Sequence, residues 1–416
     1  MKREEVDVLV IGAGPSGCVA ASYLHNHGIN VKVVEKSVFP RFVIGESLIP
    51  RVMDNFEEAG LLDCLMDQGY QKKFGARFIR KDERCFFDFS DKFGEGWDWT
   101  WQIPRADFDN RMAQECVRKG VDLSFEKEVL DVQFNGSDSV SLIRDKEGNE
   151  SEIHAKFIID SSGYGRVLPR ILNLDTPSSV TENSAIFTHV HEIRRPEGEE
   201  GTIITFDILE TKVWIWVIPF SNGNTSIGVV GPTSYINQLG ATNEEAIRNA
   251  FNMSDFYRDR FDGYDFLFAP RKIEDYSCAV KQIYGPGFTL TGNSSEFLDP
   301  VFSSGVCFAT ESGLLSAKLY VDQHKGRNVD WQTEYSDYIF RGVRTFATYV
   351  KEWYTGNLQT LFFHQPANPD VKRKICAVLA GYVWNLENPF VKKHDNVVRN
   401  MAHMIESEKA AQSEQK

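Results

Sequence analysis

The chain has 416 residues, 42% hydrophobic and 25% charged, the make-up of an ordinary globular protein with room for two or three domains. Its net charge of -13 argues against a phosphate-backbone partner. Seven dispersed cysteines, odd in number and without a C-x-x-C pair, argue against a disulfide framework and predict reduced thiols in a cytoplasmic protein.

Lys2 and Arg3 precede an apolar stretch, Val8 to Ala21, but Asp7 and the spacing of Gly12, Gly14 and Gly17 separate it from a signal peptide. No apolar run of membrane-spanning length follows. Val6 to Ile11 reads as a buried parallel strand, Cys18 to Asn26 as a helix and Val31 to Glu35 as a second strand, together a βαβ unit. Alternating segments then recur at Arg77 to Phe89, Trp97 to Ile103, Ser184 to His191, Thr202 to Ile208, Val213 to Ile218 and Thr225 to Val230. They predict an antiparallel sheet, with Asn222-Gly223 as a hairpin turn. Phe157 to Asp160 and Phe288 to Thr291 read as short buried strands ending at glycine-bearing loops. From about Asp330 the chain turns helical and aromatic, and its polar end, 406–416, is expected to be disordered.

The first chemistry-bearing motif is Gly12-Ala13-Gly14-Pro15-Ser16-Gly17, a G-x-G-x-x-G that follows a strand and opens a helix. Glu35, 18 residues past Gly17, stands where an acid binds a ribose. Gly12 permits the tight turn, Gly14 admits a pyrophosphate to the backbone, and Gly17 lets helix and strand pack closely. The helix N-terminus offers free N–H groups and positive potential to phosphate. Glu35 and the glycine turn together provide for the adenosine half of a dinucleotide. His189 and His191, two apart on a strand, lack an evident third ligand, so no metal is expected.

Four further segments resemble the FAD-dependent monooxygenase superfamily and, within it, the flavin-dependent halogenases. Arg41 to Pro50 is close to R-F-x-x-G-E-S-L-x-P, and Arg105 to Asp109 is similar to R-x-x-F-D. Asp160 to Arg166 is similar to D-A-S-G, and Gly292-Asn293 with Asp299 to Gly305 resembles G-D…D-P-x-x-S-S-G. The resemblance implies an α/β fold: a Rossmann-type FAD-binding domain, an inserted antiparallel-sheet substrate domain of para-hydroxybenzoate hydroxylase type, and a helical C-terminal region. The corresponding division is 1–75, 105–175 and 275–325 for FAD, 76–104 and 176–274 for the inserted sheet, and 326–405 for the helices. Cofactor contacts are expected at Gly12, Gly14, Pro15, Ser16, Gly17, Glu35, Lys36, Arg41, Gly45, Glu46 and Ser47. Further contacts are expected at Arg105, Val129, Asp160, Gly163, Asn293, Pro300, Ser304 and Gly305, the last two also binding halide.

The halogenase mark W-x-W-x-I-P occurs twice, at Trp99 to Pro104 and at Trp214 to Pro219. Its place between D-x-S-G and G-D selects the second copy and makes the first a coincidence on an aromatic strand. Trp214, Trp216, Ile218 and Pro219 would then wall flavin from substrate; spacing alone favours core residues of a β-face, and the resemblance reverses that. Gly69 to Phe78 is similar to the family's lysine segment and puts Lys73 at the catalytic position, where it would relay electrophilic halogen; the bland alternative is a solvated Lys72–Lys73 pair. The sequence departs from the family at Asn293 and at Glu296, where glycine is usual, and at Phe302, where tryptophan halogenases carry glutamate. The missing carboxylate points to a phenol or pyrrole acceptor, often tethered to a carrier protein. The absence of a second dinucleotide fingerprint implies a separate flavin reductase. The resemblance thus implies halogenation with reduced FAD, oxygen and halide. The alternatives are an FAD monooxygenase, a geranylgeranyl reductase-like enzyme, or a flavoprotein whose role is partner binding.

Overall fold

Val8 to Ile11 are almost wholly buried, as the central strand of a sheet covered on both faces must be. The computed structural model describes residues 2–177, 182–274, 276–365 and 368–413. In it, Lys2–Ile11 pairs in parallel with Glu150–Asp160 on one side and Val31–Val34 on the other. Phe288–Leu290 and Asp122–Ser124 extend the parallel set outward. The hairpin Lys127–Asn135 and Asp138–Asp145 lies antiparallel to the first half of Glu150–Asp160. Ile11, Asp160, Val34 and Leu290 lie level in the register, so the loops that follow them open at one carboxyl edge. In an open α/β sheet that edge is where ligands bind.

Helix Pro15–Asn26 starts there, with Pro15 in its first turn and no side-chain cap. It is buried along most of its length between the sheet and helix Gly305–His324. The approach depends on glycine. A Cβ on Gly17 would fall 1.9 Å from the Gly12 carbonyl oxygen, and one on Gly313 would fall 2.6 Å from that of Ser16. Gly12 itself has φ +98°, a conformation L side chains rarely adopt.

The second sheet has seven strands, in the order Arg271–Glu274, Asn183–His191, Asn224–Pro232, Val213–Pro219, Thr205–Glu210, Gly75–Arg80, Glu83–Asp88. All its contacts are antiparallel except that of Thr205–Glu210 with Gly75–Arg80. Gly223, at φ +86°, turns the hairpin between the fourth and third strands. Alternation divides Val213–Pro219 between two cores. Trp214, Trp216 and Ile218 join the core shared with the first sheet, and Ile215 and Val217 face helix Asn243–Asn252.

Three expectations need correction. The stretch Arg77 to Phe89 is two strands folded into a tight hairpin, with Lys81 in the left-handed conformation at its turn. Trp97 to Ile103 does not join the large sheet: only Thr100–Gln102 is a strand, and it pairs with Gln71–Lys73 as a separate ribbon. Finally, 406–413 is not disordered, because helix His394–Ser413 runs through it. Glu406, Glu408, Lys409, Ala410 and Ala411 are strong helix formers that continue a helix anchored by Val398, Ala402 and Ile405. Residues 414–416 lie outside the described residues.

The C-terminal helices are fastened by partly buried polar groups. Arg51 donates two hydrogen bonds to Glu311, at 3.0 and 3.1 Å, and Tyr338 donates to the same carboxylate. Tyr382 bonds Asp54 and accepts the Trp97 N–H. Among the described residues all seven cysteines are free, no helix is long and apolar enough to cross a membrane, and no group of three ligating side chains could hold a metal ion. The helix–strand approach makes a direct prediction. Gly17→Ala forces the helix off the strand and destabilises the protein by about 1–3 kcal/mol, with loss of bound flavin. Urea unfolding and the visible flavin spectrum check it.

Candidate active site

The carboxyl edge of the parallel sheet opens into a cavity of about 440 Å³. Gly12, Gly14, Pro15 and Ser16 line one wall, and a Cβ on Gly14 would meet only the Arg41 guanidinium, so the backbone is open to a ligand. Glu35, Lys36 and Val129 line one end, while Trp216 and Phe187 belong to the second sheet. Gly45, Arg41, Arg105, Gly163, Asn293, Pro300 and Gly305 complete the expected lining. Glu35 accepts backbone N–H bonds from Ala13 at 2.9 Å and Ser37 at 2.8 Å, which fix its carboxylate at the end of the second strand. This uncapped helix, glycine turn and distal acid fit the pyrophosphate and adenosine half of FAD.

Several expected cofactor residues act differently. Gly17 is packing, as described above. Asp160 is fully buried beneath the cavity and accepts the Ser162 and Leu168 N–H groups at 2.9 and 2.7 Å, so it shapes the loop from below. Ser304 is in the lining neither of this cavity nor of the smaller one beside it; it precedes helix Gly305–His324, and of the pair Gly305 reaches the lining. Glu46 and Ser47 are absent from this cavity and line a second one. Glu296 also turns away: it accepts the Val280 N–H, and burial pushes its carboxyl up to about 7. Residues the motifs did not single out include Thr291, whose hydroxyl bonds those of Ser16 and Ser161 at 2.8 and 2.7 Å, and Tyr164, Tyr276 and Phe297 in the lining. Only their position beside the motifs could have suggested them.

The second cavity, about 90 Å³, shares Gly45, Trp216, Pro300 and Gly305 with the first. Trp214, Trp216 and Ile218 wall it, and Glu46, Ser47 and Ser303 are its polar lining. Trp216 lies between the two spaces. Its ring crosses Gly228, where a Cβ would fall 2.3 Å from it, and its indole N–H donates to Ser226 at 3.1 Å. Trp214 donates to the Tyr354 hydroxyl at 3.2 Å. Pro219 lines neither cavity; its carbonyl accepts the Gln102 side-chain N–H. That bond joins the second W-x-W-x-I-P copy to the first, so the Trp99 to Pro104 segment carries a structural role as the partner of the lysine strand.

Lys73 does not itself line the second cavity. It is 3% exposed and donates at 2.8 Å to both the Ser47 hydroxyl and the Leu48 carbonyl, reaching the cavity through Ser47. Lys72 points the other way, exposed over the Trp99 ring. His189 bonds Glu46 at 2.7 Å, whereas His191 bonds Asn224, so the two histidines serve different partners. Phe302 is packed against Tyr349 and Trp353.

A family model described as an FAD binding domain matches residues 5–247. The chain belongs to this family. It is an FAD-dependent oxidoreductase, with a Rossmann-type FAD-binding sheet joined to a second sheet of para-hydroxybenzoate hydroxylase type. A solved flavoprotein/dehydrogenase from Cytophaga hutchinsonii is 51% identical, with a TM-score of 0.95 over 98% of this chain and 100% of that one. A solved flavin-dependent brominase is 25% identical, with a TM-score of 0.83 over 97% and 100% of the two chains. A 1H-pyrrole-2-carbonyl peptidyl-carrier protein chlorinase from Pseudomonas fluorescens is 27% identical over 92% of this chain and 91% of its own length.

Burial holds the Lys73 ammonium down to about 7, against 10.5 for an ordinary lysine. Below about 7 both folded and unfolded chains are protonated there, and folding carries the full penalty of a buried charge. Between about 7 and 10.5 the unfolded chain binds more protons than the folded one, so stability rises with pH across that window. The difference in unfolding free energy between the wild type and Lys73→Met therefore moves toward the wild type by a few kcal/mol from neutral to alkaline pH. Urea unfolding at a series of pH values measures it; a difference flat in pH contradicts the buried ammonium.

Proposed function

We propose that the protein is a flavin-dependent halogenase acting on an activated aromatic ring, a phenol or a pyrrole. The observation that carries the reading is the pairing of two spaces: a cofactor cavity, and behind Trp216 a small chamber backed by a buried lysine of lowered pKa. Bound and reduced, FAD would supply the two electrons that activate oxygen, which is the oxidant that turns halide into hypohalous acid. The chain does the rest. Trp214, Trp216 and Ile218 keep the aromatic ring from the flavin, which favours halogen transfer over hydroxylation. At about 90 Å³ the chamber is smaller than the roughly 150 Å³ cavity that takes up benzene. It fits a hypohalous acid and is too small for the aromatic ring. Lys73, held by Ser47 and the Leu48 carbonyl, is the group from which halogen passes to the ring. Gly305, common to both spaces and at a helix N-terminus, suits halide, with Ser304 setting its backbone.

Phe302, in place of a carboxylate, supports a ring that is already activated. The pyrrole-carrier chlorinase and its brominase counterpart from Pseudoalteromonas luteoviolacea, 28% identical over 92% of this chain, support a substrate tethered to a carrier protein. A separate reductase supplies the reduced flavin. The cofactor-binding unit comprises 1–75, 105–175 and 275–325, a division supported by the strand membership of the two sheets.

The test is turnover with chemically reduced FAD, oxygen and each halide over a panel of phenols and pyrroles, read by mass spectrometry. Lys73→Ala should lower halogenated product by roughly 100-fold or more, with hydrogen peroxide appearing instead. Lys72→Ala should stay close to wild type, since its side chain lies on the outer surface. Halogenation undiminished in Lys73→Ala, or hydroxylated product irrespective of halide, contradicts the proposal.

A further inference from the structure

Halogenation consumes a proton that neither flavin nor substrate provides. Reduced flavin, oxygen, halide ion, one proton and Ar–H give oxidised flavin, Ar–X and two waters. The C–X bond forms, while the O–O and C–H bonds break. Flavin and halide each give up two electrons, and oxygen takes four. Of the four protons in the two waters, two come from the reduced flavin, one from the ring and one from solvent. A chamber walled mostly by apolar side chains therefore calls for a polar group that brings the solvent proton in.

Among the described residues, Glu46 is the only ionisable one lining the second cavity. It is 2% exposed, and its two oxygens differ. Oε1 bonds the His189 Nε2 at 2.7 Å, while Oε2 is buried without a hydrogen-bond partner among the described residues. A buried carboxylate oxygen left unpaired is costly and calls for an explanation. Its backbone is fixed as well, since the Glu46 carbonyl accepts the Ile103 N–H at 2.8 Å.

His189 faces the other way along the same line. It projects from strand Asn183–His191 among the rings of Phe42, Phe220 and Phe268, with centroids 5.7, 5.4 and 5.0 Å away. These rings hold it in one orientation, yet 13% of its side chain remains accessible to water. Carboxylate and imidazole thus form a two-member chain from a water-accessible ring to an unpartnered oxygen in the chamber wall. The charges that face the pair are Arg105, which acts on Glu46 from helix Arg105–Lys119, and Arg271, stacked over Phe42 and Phe268. Lys73 stands beyond Ser47.

We propose that His189 and Glu46 are the proton inlet of this chamber, a role that rests on the halogenase reading. His189 takes a proton from water at Nδ1 and passes its Nε2 proton to Oε1 of Glu46; the protonated carboxyl turns about its Cγ–Cδ bond and presents that proton to the chamber, where the oxygen leaving as water takes it up. Imidazole suits the task because its two ring nitrogens can take up a proton on one side and release one on the other.

The experiment uses holoenzyme with chemically reduced FAD, oxygen, bromide and phenol. Brominated phenol and hydrogen peroxide are counted per flavin oxidised. Oxidation of reduced flavin by oxygen to peroxide needs no solvent proton, so a blocked inlet diverts turnover to peroxide. His189→Gln keeps a hydrogen-bond donor but cannot relay, and His189→Ala opens a space for added imidazole. Both variants should lose product by roughly 10-fold to 100-fold with a matching gain in peroxide, and imidazole should restore His189→Ala alone. Wild-type yield in His189→Gln overturns the relay and leaves a merely positioning bond. Loss in both variants without rescue by imidazole also overturns it. If the wild type brominates and chlorinates nothing, the halogenase reading fails first and the inlet falls with it.

Discussion

The extended segment Ile44 to Leu48 has no helix or long ladder to satisfy its polar groups, and the rest of the molecule satisfies them instead. Arg105 donates to the carbonyls of Ile44 and Gly45, the Ile103 N–H to that of Glu46, and the Lys73 ammonium to that of Leu48. The Leu48 N–H donates to the Trp101 carbonyl, and Ser47 bridges to Gln102. A buried backbone group without a partner would cost on the order of 1–3 kcal/mol, so each bond is a constraint on where its donor must stand. One strand of irregular backbone thereby brings together a helix and both strands of the ribbon.

Asp109 anchors this arrangement. Fully buried, it accepts from Arg105 at 2.7 and 2.9 Å and from Arg41 at 3.1 Å. Two guanidinium groups thus share one carboxylate, and both line the cofactor cavity. Removing the carboxylate would leave buried cations uncompensated, a far larger penalty than the pair contributes in net stability. Charge near the cofactor is therefore positioned by a residue that never reaches it.

Lys73 shows the opposite balance. Its two hydrogen-bond partners are neutral, so nothing offsets the loss of hydration for the ammonium, and its pKa falls to about 7. A structural lysine would be better served by a carboxylate, as Lys92 is by Asp98. An amine ready to change protonation near neutrality suits the halogen transfer proposed for the chamber.

Short-range constraints were legible in the sequence. The βαβ unit, Gly12, Gly14, Gly17 and Glu35 follow from the geometry of one turn, and the alternation of Trp214, Trp216 and Ile218 follows from the two-residue period of a strand. The family-like motifs also marked the segments that meet at the carboxyl edge. What the residues could not declare was which side of Trp216 each motif would face. Glu46 and Ser47 belong to a motif read as cofactor-binding, yet they turn into the second chamber because the partners of their backbone lie 55 or more residues away, on the ribbon. Gly228 carried no local signal, since its need for a bare Cα comes from the Trp216 ring of the neighbouring strand. The pairing of His189 with Glu46 joins residues 143 apart, and the two W-x-W-x-I-P copies meet through Gln102 and Pro219 across 117. Local backbone geometry is written in neighbouring residues. Which buried polar atom finds a partner, and which is left free to act, is decided only when distant segments pack against each other.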